Sequence, residues 1–141
     1  MSGSIDMKLG ILGLGKMGGN LALLAKEKGI AVVGKSRSAK PHLERKGVKV
    51  VDGYDPLVDF LDQPRVIYIS VPAGATVDRI VEELVPHLDS GDVVIDGGNS
   101  FYLDSVRREE DLSDHGIFFL DCGTSGGLEG ARKGPCFMVG G

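Results

Sequence analysis

An excess of basic residues is missing from this sequence. Sixteen lysines and arginines stand against 20 aspartates and glutamates in 141 residues, for a formal net charge of −4. A basic face is the usual electrostatic footprint of a nucleic-acid binder, so this balance argues against DNA or RNA as a partner. Cysteine is scarce as well. Cys122 and Cys136 are the only two, with neither metal-ligand nor redox-motif spacing, which points to reduced thiols in a cytoplasmic protein and to no metal site. No apolar run approaches the length of about 20 residues that crosses a bilayer. The segment Met1–Asp6 lacks a signal-peptide pattern and reads as a tail or a remnant of expression. Hydrophobic residues at 42% and charged residues at 26% are ordinary for a soluble globular chain. The length suits one domain, residues 7–141, with a real core.

Glycine, by contrast, is abundant. The 22 glycines fall at the ends of apolar runs, where turns and close backbone approaches need them. Leu9–Leu12 reads as a buried strand. From Lys16 to Lys28, Met17, Leu21, Leu24 and Ala25 recur at helical spacing, and Gly29 ends the run. Ile30–Gly34 reads as a second strand. Ser38 reads as the cap of a short helix, with Pro41 in its first turn and Gly47 past its end. Val48–Val51 is the third strand, Pro56–Leu61 a short helix and Val66–Ile69 the fourth strand. A helix with Val77, Ile80, Val81, Leu84, Val85 and Leu88 on one stripe follows, and Pro86 should bend it or end it early. Asp92–Ile95, a polar helix over Tyr102–His115, Ile117–Leu120 and a seventh strand over Pro135–Val139 complete the pattern. Strands without polar alternation suit a parallel sheet covered on both faces. Strand and helix alternating give an α/β fold: a doubly wound, mostly parallel Rossmann sheet in three αβα layers.

The string Gly13-Leu14-Gly15-Lys16-Met17-Gly18 matches G-x-G-x-x-G, with Gly19 behind it. Glycine-rich turns are common, but this one follows a strand and opens a helix, as a dinucleotide site requires. The first glycine permits the tight turn, the second lets backbone approach a pyrophosphate, and the third allows close helix–strand packing. The helix N-terminus then offers N–H groups and partial positive charge to the anion. An acid at the end of the second strand would accept the ribose hydroxyls of NAD and repel a 2′-phosphate. The chain has none there. Gly34-Lys35-Ser36-Arg37-Ser38 offers the hydroxyls of Ser36 and Ser38 and the planar, permanent charge of Arg37, favouring NADP over NAD.

Parallel strands deliver their C-terminal ends to one edge of the sheet, where ligands bind. Besides the first two loops, that edge receives Val71-Pro72-Ala73-Gly74, Asp96-Gly97-Gly98-Asn99-Ser100 and Gly123-Thr124-Ser125-Gly126-Gly127. Any one of these could be a plain turn or a helix cap. Five loops of small, hydrogen-bonding residues meeting at one edge suit a cofactor and a small polar substrate lying against backbone.

Several of these strings together resemble the N-terminal domain of 6-phosphogluconate dehydrogenase, within the β-hydroxyacid dehydrogenase superfamily. They are Gly13 to Asn20, Asp96 to Ser100, Gly123 to Gly127 running into Gly130-Ala131, and Pro135 to Gly141. The resemblance covers the chain from about Met7 onward, and Gly97-Gly98-Asn99-Ser100 discriminates best, because hydroxyisobutyrate-type relatives usually differ there. It implies oxidation of 6-phosphogluconate at C3 with hydride transfer to NADP, then decarboxylation to ribulose 5-phosphate, in a cytoplasmic homo-oligomer. It places Asn99 by the nicotinamide and substrate, and Ser125, Gly126 and Gly127 on the substrate. Gly13, Leu14, Gly15, Lys16, Met17, Gly18, Val71, Pro72 and Ala73 become cofactor contacts, with Ser36, Arg37 and Ser38 at the 2′-phosphate. The NADP enzymes commonly carry Asn-Arg-Thr where this chain has Ser36-Arg37-Ser38, and Thr124 and Leu128 look more like a shorter bacterial branch, some members of which use NAD.

The family's catalytic lysine, its acid partner and its helical dimerisation domain correspond to positions past Gly141. No general base is therefore assigned, and the chain alone is expected to bind cofactor without turnover. His42, His87 and His115 read as surface residues on helices away from the ligand edge, and Arg107-Arg108-Glu109-Glu110-Asp111 as a solvated helix face. The alternatives are a related 3-hydroxyacid dehydrogenase or imine reductase, and a non-catalytic module that senses NADP.

Overall fold

The computed structural model describes residues 7–71, 74–97, 102–125 and 136–140. In chain order they form β1 (Lys8–Leu12), α1 (Lys16–Glu27), β2 (Ala31–Lys35), α2 (Pro41–Arg45), β3 (Lys49–Val51), α3 (Tyr54–Phe60) and β4 (Val66–Ile69). These are followed by α4 (Ala75–Leu84), a 3-10 turn (Val85–His87), β5 (Val93–Asp96), α5 (Tyr102–Ser113), β6 (Phe118–Ser125) and β7 (Cys136–Gly140). One sheet runs in the order β3-β2-β1-β4-β5-β6-β7. The pairs from β3 through β6 are parallel, and β7 alone runs antiparallel to its neighbour. Strand order reverses between β1 and β4, so the crevice above their C-terminal ends is the ligand edge of this topology.

The missing polar alternation has its cause in two cores. Ile11, Val32 and Tyr68 face one side of the sheet, where Leu21, Ala22 and Ala25 of α1 and Leu43 of α2 cover them. Their neighbours Leu12, Val33, Ile67 and Ile69 face the other side, under Leu57 and Val58 of α3, Leu84 of α4 and Leu112 of α5. Successive side chains of a strand point to opposite faces, and both faces here are covered. This is the doubly wound, three-layer arrangement.

Local boundaries follow backbone chemistry. The helix α3 starts at Tyr54, two residues ahead of the Pro56 start expected from the pattern. A proline is tolerated there because first-turn N–H groups lack intrahelical partners. At the other end of α4, Pro86 cannot donate to a fourth turn, and the α-helix stops at Leu84 in a 3-10 turn. Ser38 does not cap α2. That helix begins at Pro41 after Lys40 with no side-chain cap, and the N–H of Ser38 goes to Ser36 Oγ at 3.2 Å instead.

The largest difference lies at β6. Expected to stop at Leu120, it continues to Ser125 because Asp121 to Ser125 pair antiparallel with Gly140 to Cys136. Gly123, Thr124 and Ser125 therefore belong to a strand and not to a loop. Asp121, aligned with Asp96, is the last residue of β6 paired with β5, so Ser125 stands roughly 13 Å further along the strand direction.

Candidate functional site: a glycine turn at the sheet's crossover

The turn from β1 into α1 is built on close backbone approach. Gly13 has φ +101°, in the left-handed region, and a Cβ there would run into the carbonyl oxygen of Ser70. Gly18 lies so close to the Gly13 carbonyl that any side chain would overlap it. Both positions need glycine for the fold itself. Gly15 differs: it stands immediately before α1, no side chain caps the helix there, and nothing lies within 4 Å of a Cβ built on it. The space in front of this helix start is open, no acid occupies its first turn, and Gly15 and Lys16 are exposed. Such a start presents amide N–H groups and partial positive charge outward, a combination that suits a diphosphate. Leu14 is the anchor of the turn. Its side chain is buried and packs where Gly34 of β2 leaves room, so a bulkier residue at position 34 would displace it. Met17 is half-buried in the first turn.

The exit of β2 supplies the neighbouring wall. Ser36 N–H donates to Val51 O at 2.8 Å, which ties this exit to β3. The Ser36 hydroxyl donates to Ser38 O at 2.8 Å and accepts the Ser38 N–H, closing a small turn that pushes Arg37 outward. Arg37 is exposed and makes no ion pair among the described residues. It borders two clefts. One, of about 400 Å³, includes Ser36, Ser38, Glu44 and Asp52 in its lining. The other, of about 300 Å³, is lined by Leu12, Lys35, Arg37, Tyr54, Val71, Thr76, Arg79, Ile80 and Glu83. Two acids border the first cleft, whereas three cations and one acid border the second. The second is the better surroundings for an anionic group held by Arg37.

Tyr54 fixes the floor of that second cleft. Its hydroxyl donates to Glu83 Oε1 at 2.9 Å, Lys35 Nζ lies 4.8 Å from its ring centre, and His87 stacks on it at 5.6 Å. Burial, then the hydrogen bond and charge of Glu83, push the Tyr54 phenol up to about 12, so it stays a neutral donor. Tyr54 and Arg79 were not among the expected site residues, whereas Lys35 was open to expectation as added charge beside Arg37. For Arg79 a signal existed, since Thr76, Arg79, Ile80 and Glu83 share one face of α4 at helical spacing.

His42 is exposed on its helix, as expected, but not away from the glycine turn, and His87 is half-buried. His42 lines a groove of about 530 Å³ together with Gly15, Lys16 and Asn20, beside the glycine turn. His87 pairs with Asp55 at 2.7 Å beneath the Tyr54 ring. His115 is exposed, as expected. Val71 lines the second cleft, next to Gly13. Pro72, Ala73, Asn99, Gly126 and Gly127 lie outside the described residues.

In the charge run on α5, Arg107, Glu109, Glu110 and Asp111 are exposed, as expected of a solvated face, but Arg108 is buried. Arg108 is 2% exposed, donating from Nε to Asp78 Oδ1 at 2.8 Å, from Nη1 to Asp96 Oδ2 at 3.4 Å and from Nη2 to Gly74 O at 3.3 Å. Arg107 adds a contact to Asp78 at 3.1 Å. The Arg108 hydrogen bond above all, helped by Arg107 and opposed by burial, holds the Asp78 carboxyl below the usual carboxylate range. Local pairing along α5 was the expectation. The partners lie on α4 and β5, a tertiary fact that charge spacing along one helix cannot show.

With this geometry in hand, relatives decide the family. Residues 8–141 match the family described as the NAD-binding domain of 6-phosphogluconate dehydrogenase. The chain belongs to that family. Among its relatives, the decarboxylating 6-phosphogluconate dehydrogenase 2 of Saccharomyces cerevisiae is 45% identical over 140 residues, 94% of this chain and 28% of the yeast protein. The NADP(+)-dependent, decarboxylating enzyme of Bacillus subtilis is 42% identical over 140 residues, 95% of this chain and 30% of that protein. The solved Plasmodium falciparum 6-phosphogluconate dehydrogenase, described in its apo form and in complex with its cofactor NADP+ and with its substrate 6-phosphogluconate, superposes with a TM-score of 0.87. It is 32% identical, over 97% of this chain and 31% of that one. The chain thus spans about three-tenths of the length of these dehydrogenases. It is an NAD(P)-binding domain of the 6-phosphogluconate dehydrogenase family. Among its described residues no helix is long and apolar enough to cross a membrane, and no cluster of His, Cys, Asp and Glu is placed to hold a metal.

Proposed function

We propose that residues 7–141 form the single NADP-binding domain of a cytoplasmic, homo-oligomeric dehydrogenase that oxidises 6-phosphogluconate at C3 and decarboxylates the product to ribulose 5-phosphate. The nicotinamide supplies the hydride acceptor for that oxidation. The observation that carries the reading is the open space in front of Gly15, flanked by glycines at 13 and 18 that the backbone itself demands. A turn needed only for folding would require Gly13 and Gly18 but would tolerate a side chain at position 15.

In this reading the backbone of Gly13, Leu14, Gly15, Lys16, Met17 and Gly18 holds the diphosphate, and Val71, Pro72 and Ala73 are further cofactor contacts. Ser36, Arg37 and Ser38 take the 2′-phosphate. Asn99 is assigned to the nicotinamide and substrate, and Ser125, Gly126 and Gly127 to the substrate. The relatives of known cofactor and substrate support these choices, as does the absence of an acid at the exit of β2. NAD would leave Arg37 with no phosphate to meet.

Calorimetric titration of NADP and NAD against wild type and Arg37→Ala checks the cofactor choice. A charge-assisted contact of this kind contributes about 1.5–3 kcal/mol, so the variant should bind NADP roughly tenfold to a hundredfold more weakly. Its NAD affinity should stay within about twofold of wild type by the same logic. Unchanged NADP affinity in Arg37→Ala would remove Arg37 from this role.

A further inference from the structure

A buried guanidinium needs an explanation beyond packing. Burying an ion pair costs desolvation that its Coulomb attraction barely returns, and a well-packed apolar side chain is often as stable in its place. Arg108 shares the stripe of α5 that carries Leu112, a buried core residue four positions on, so an apolar residue would fit that periodicity. Instead the position holds a rigid fork whose donors go to separate segments.

Two of those segments are strand exits. Gly74 is the residue just before α4, with φ +108°, and its carbonyl accepts the Val77 N–H at 3.1 Å as well as Arg108 Nη2. Asp96 is the last residue of β5, fully buried, and takes Nη1. Asp78, one turn into α4, takes Nε. The exit of β4 into α4 and the end of β5 are thereby fastened to one planar group. The next amide, Gly97 N–H, is fastened across to Ile69 O at 2.8 Å, at the end of β4. Both exits lie at the ligand edge, in the half of the sheet beyond the crossover from β1. In a doubly wound dinucleotide site one half of the sheet takes the adenosine side of the ligand and the other half the nicotinamide side.

We infer that Arg108 is a positioning residue for the nicotinamide half of the cofactor: without touching the ligand, it sets the exits of β4 and β5 relative to each other through Gly74, Asp78 and Asp96. The inference rests on the proposed NADP site. Its specific consequence is selectivity between parts of the ligand. The adenosine side is held first by Arg37 and the β2 exit, which Arg108 does not contact; α4 borders the Arg37 cleft with Thr76, Arg79 and Ile80, so that side loses something too, but less than the side framed by both tied exits.

The test titrates NADP and 2′,5′-ADP, the adenosine part alone, against wild type, Arg108→Met and Arg108→Lys, with thermal unfolding of each. In Arg108→Met, NADP affinity should fall tenfold or more while 2′,5′-ADP affinity falls no more than about threefold. Arg108→Lys keeps the charge and the fold but cannot span the three acceptors, so it should show the same selective loss at a few-fold. Should Arg108→Met fail to fold, the ratio of the two affinities in Arg108→Lys decides alone. Equal weakening of both ligands, or an unchanged ratio in a folded variant, overturns the positioning role. Wild type binding neither ligand would overturn the NADP site itself, and the inference with it.

Discussion

Replacing Gly15 with alanine is expected to weaken NADP binding about a hundredfold while leaving the protein as stable as before. The stability half follows from the free chain, where a methyl group at position 15 meets nothing within 4 Å and the backbone, at φ −73° and ψ −161°, is open to any residue. Gly→Ala at a compatible position even stabilises slightly, by about 0.4–1 kcal/mol, because the unfolded chain loses freedom. The binding half follows from the ligand. A diphosphate drawn onto the helix start needs the backbone at van der Waals distance, and a methyl group holds it off. Losing one or two charge-assisted N–H contacts at about 1.5–3 kcal/mol each gives the hundredfold. Gly18→Ala should behave in the opposite way, since its Cβ would overlap the Gly13 carbonyl and damage the fold whether or not a ligand exists. Calorimetry with a thermal melt on both variants checks the contrast. Gly15→Ala binding NADP within twofold of wild type would mean that no ligand backbone contact occurs there.

Asp92→Ala should cost about 3–5 kcal/mol of stability, the usual penalty for breaking a buried charge pair from one side. Asp92 is 1% exposed and sits just ahead of β5, as Arg65 sits just ahead of β4. Its Oδ1 accepts the Arg65 N–H at 2.7 Å, and its Oδ2 accepts the Asp89 N–H at 2.8 Å and Arg65 Nη1 at 3.0 Å. Burial works against the Arg65 charge, but the hydrogen bonds it donates to Asp89 and Asp92, and their charges, outweigh it and hold the guanidinium above its ordinary range. Removing the carboxylate leaves the mostly buried guanidinium with only the exposed Asp89 as a charged partner and strands two N–H groups. The expected fall in melting temperature is roughly 10 °C or more for a domain of this size, read by circular dichroism. NADP affinity of the folded fraction should be unchanged, because this pair lies at the edge of the sheet opposite the glycine turn. A melting point within 3 °C of wild type, a threshold set well below the drop of about 10 °C expected from the burial argument, would show that the network is dispensable.

These two variants separate what the sequence reveals from what it hides. The glycine turn was legible because its signal is local: a strand, three glycines at fixed spacing and a helix lie within a dozen residues. The strands were legible because both faces of the sheet are covered, which leaves Ile11-Leu12 and Val32-Val33 as unbroken apolar runs. The extension of β6 to Ser125 was not legible. Asp121, Gly123 and Ser125 look like loop residues until Cys136–Gly140 pairs with them, and pairing between distant segments leaves no periodic mark. Arg108 was hidden for the same reason, since its partners are 12 to 34 residues away. The Tyr54–Glu83 and His87–Asp55 contacts beside the Arg37 cleft are likewise long-range. Arg37, with Lys35 beside it, was found from the missing acid at the β2 exit, whereas placing Arg79 in the same cleft required the fold to bring α4 against β2.

The central claim is that backbone amides at the start of α1 hold the cofactor's diphosphate while the β2 exit holds its extra phosphate. Amide NMR of the 15N-labelled chain, titrated with NADP, reads this residue by residue. The largest saturable shifts should fall on Gly15, Lys16, Met17 and Gly18 and on Ser36, Arg37 and Ser38, with NAD sparing the second group. Saturable shifts that leave Gly15 to Gly18 untouched would contradict it.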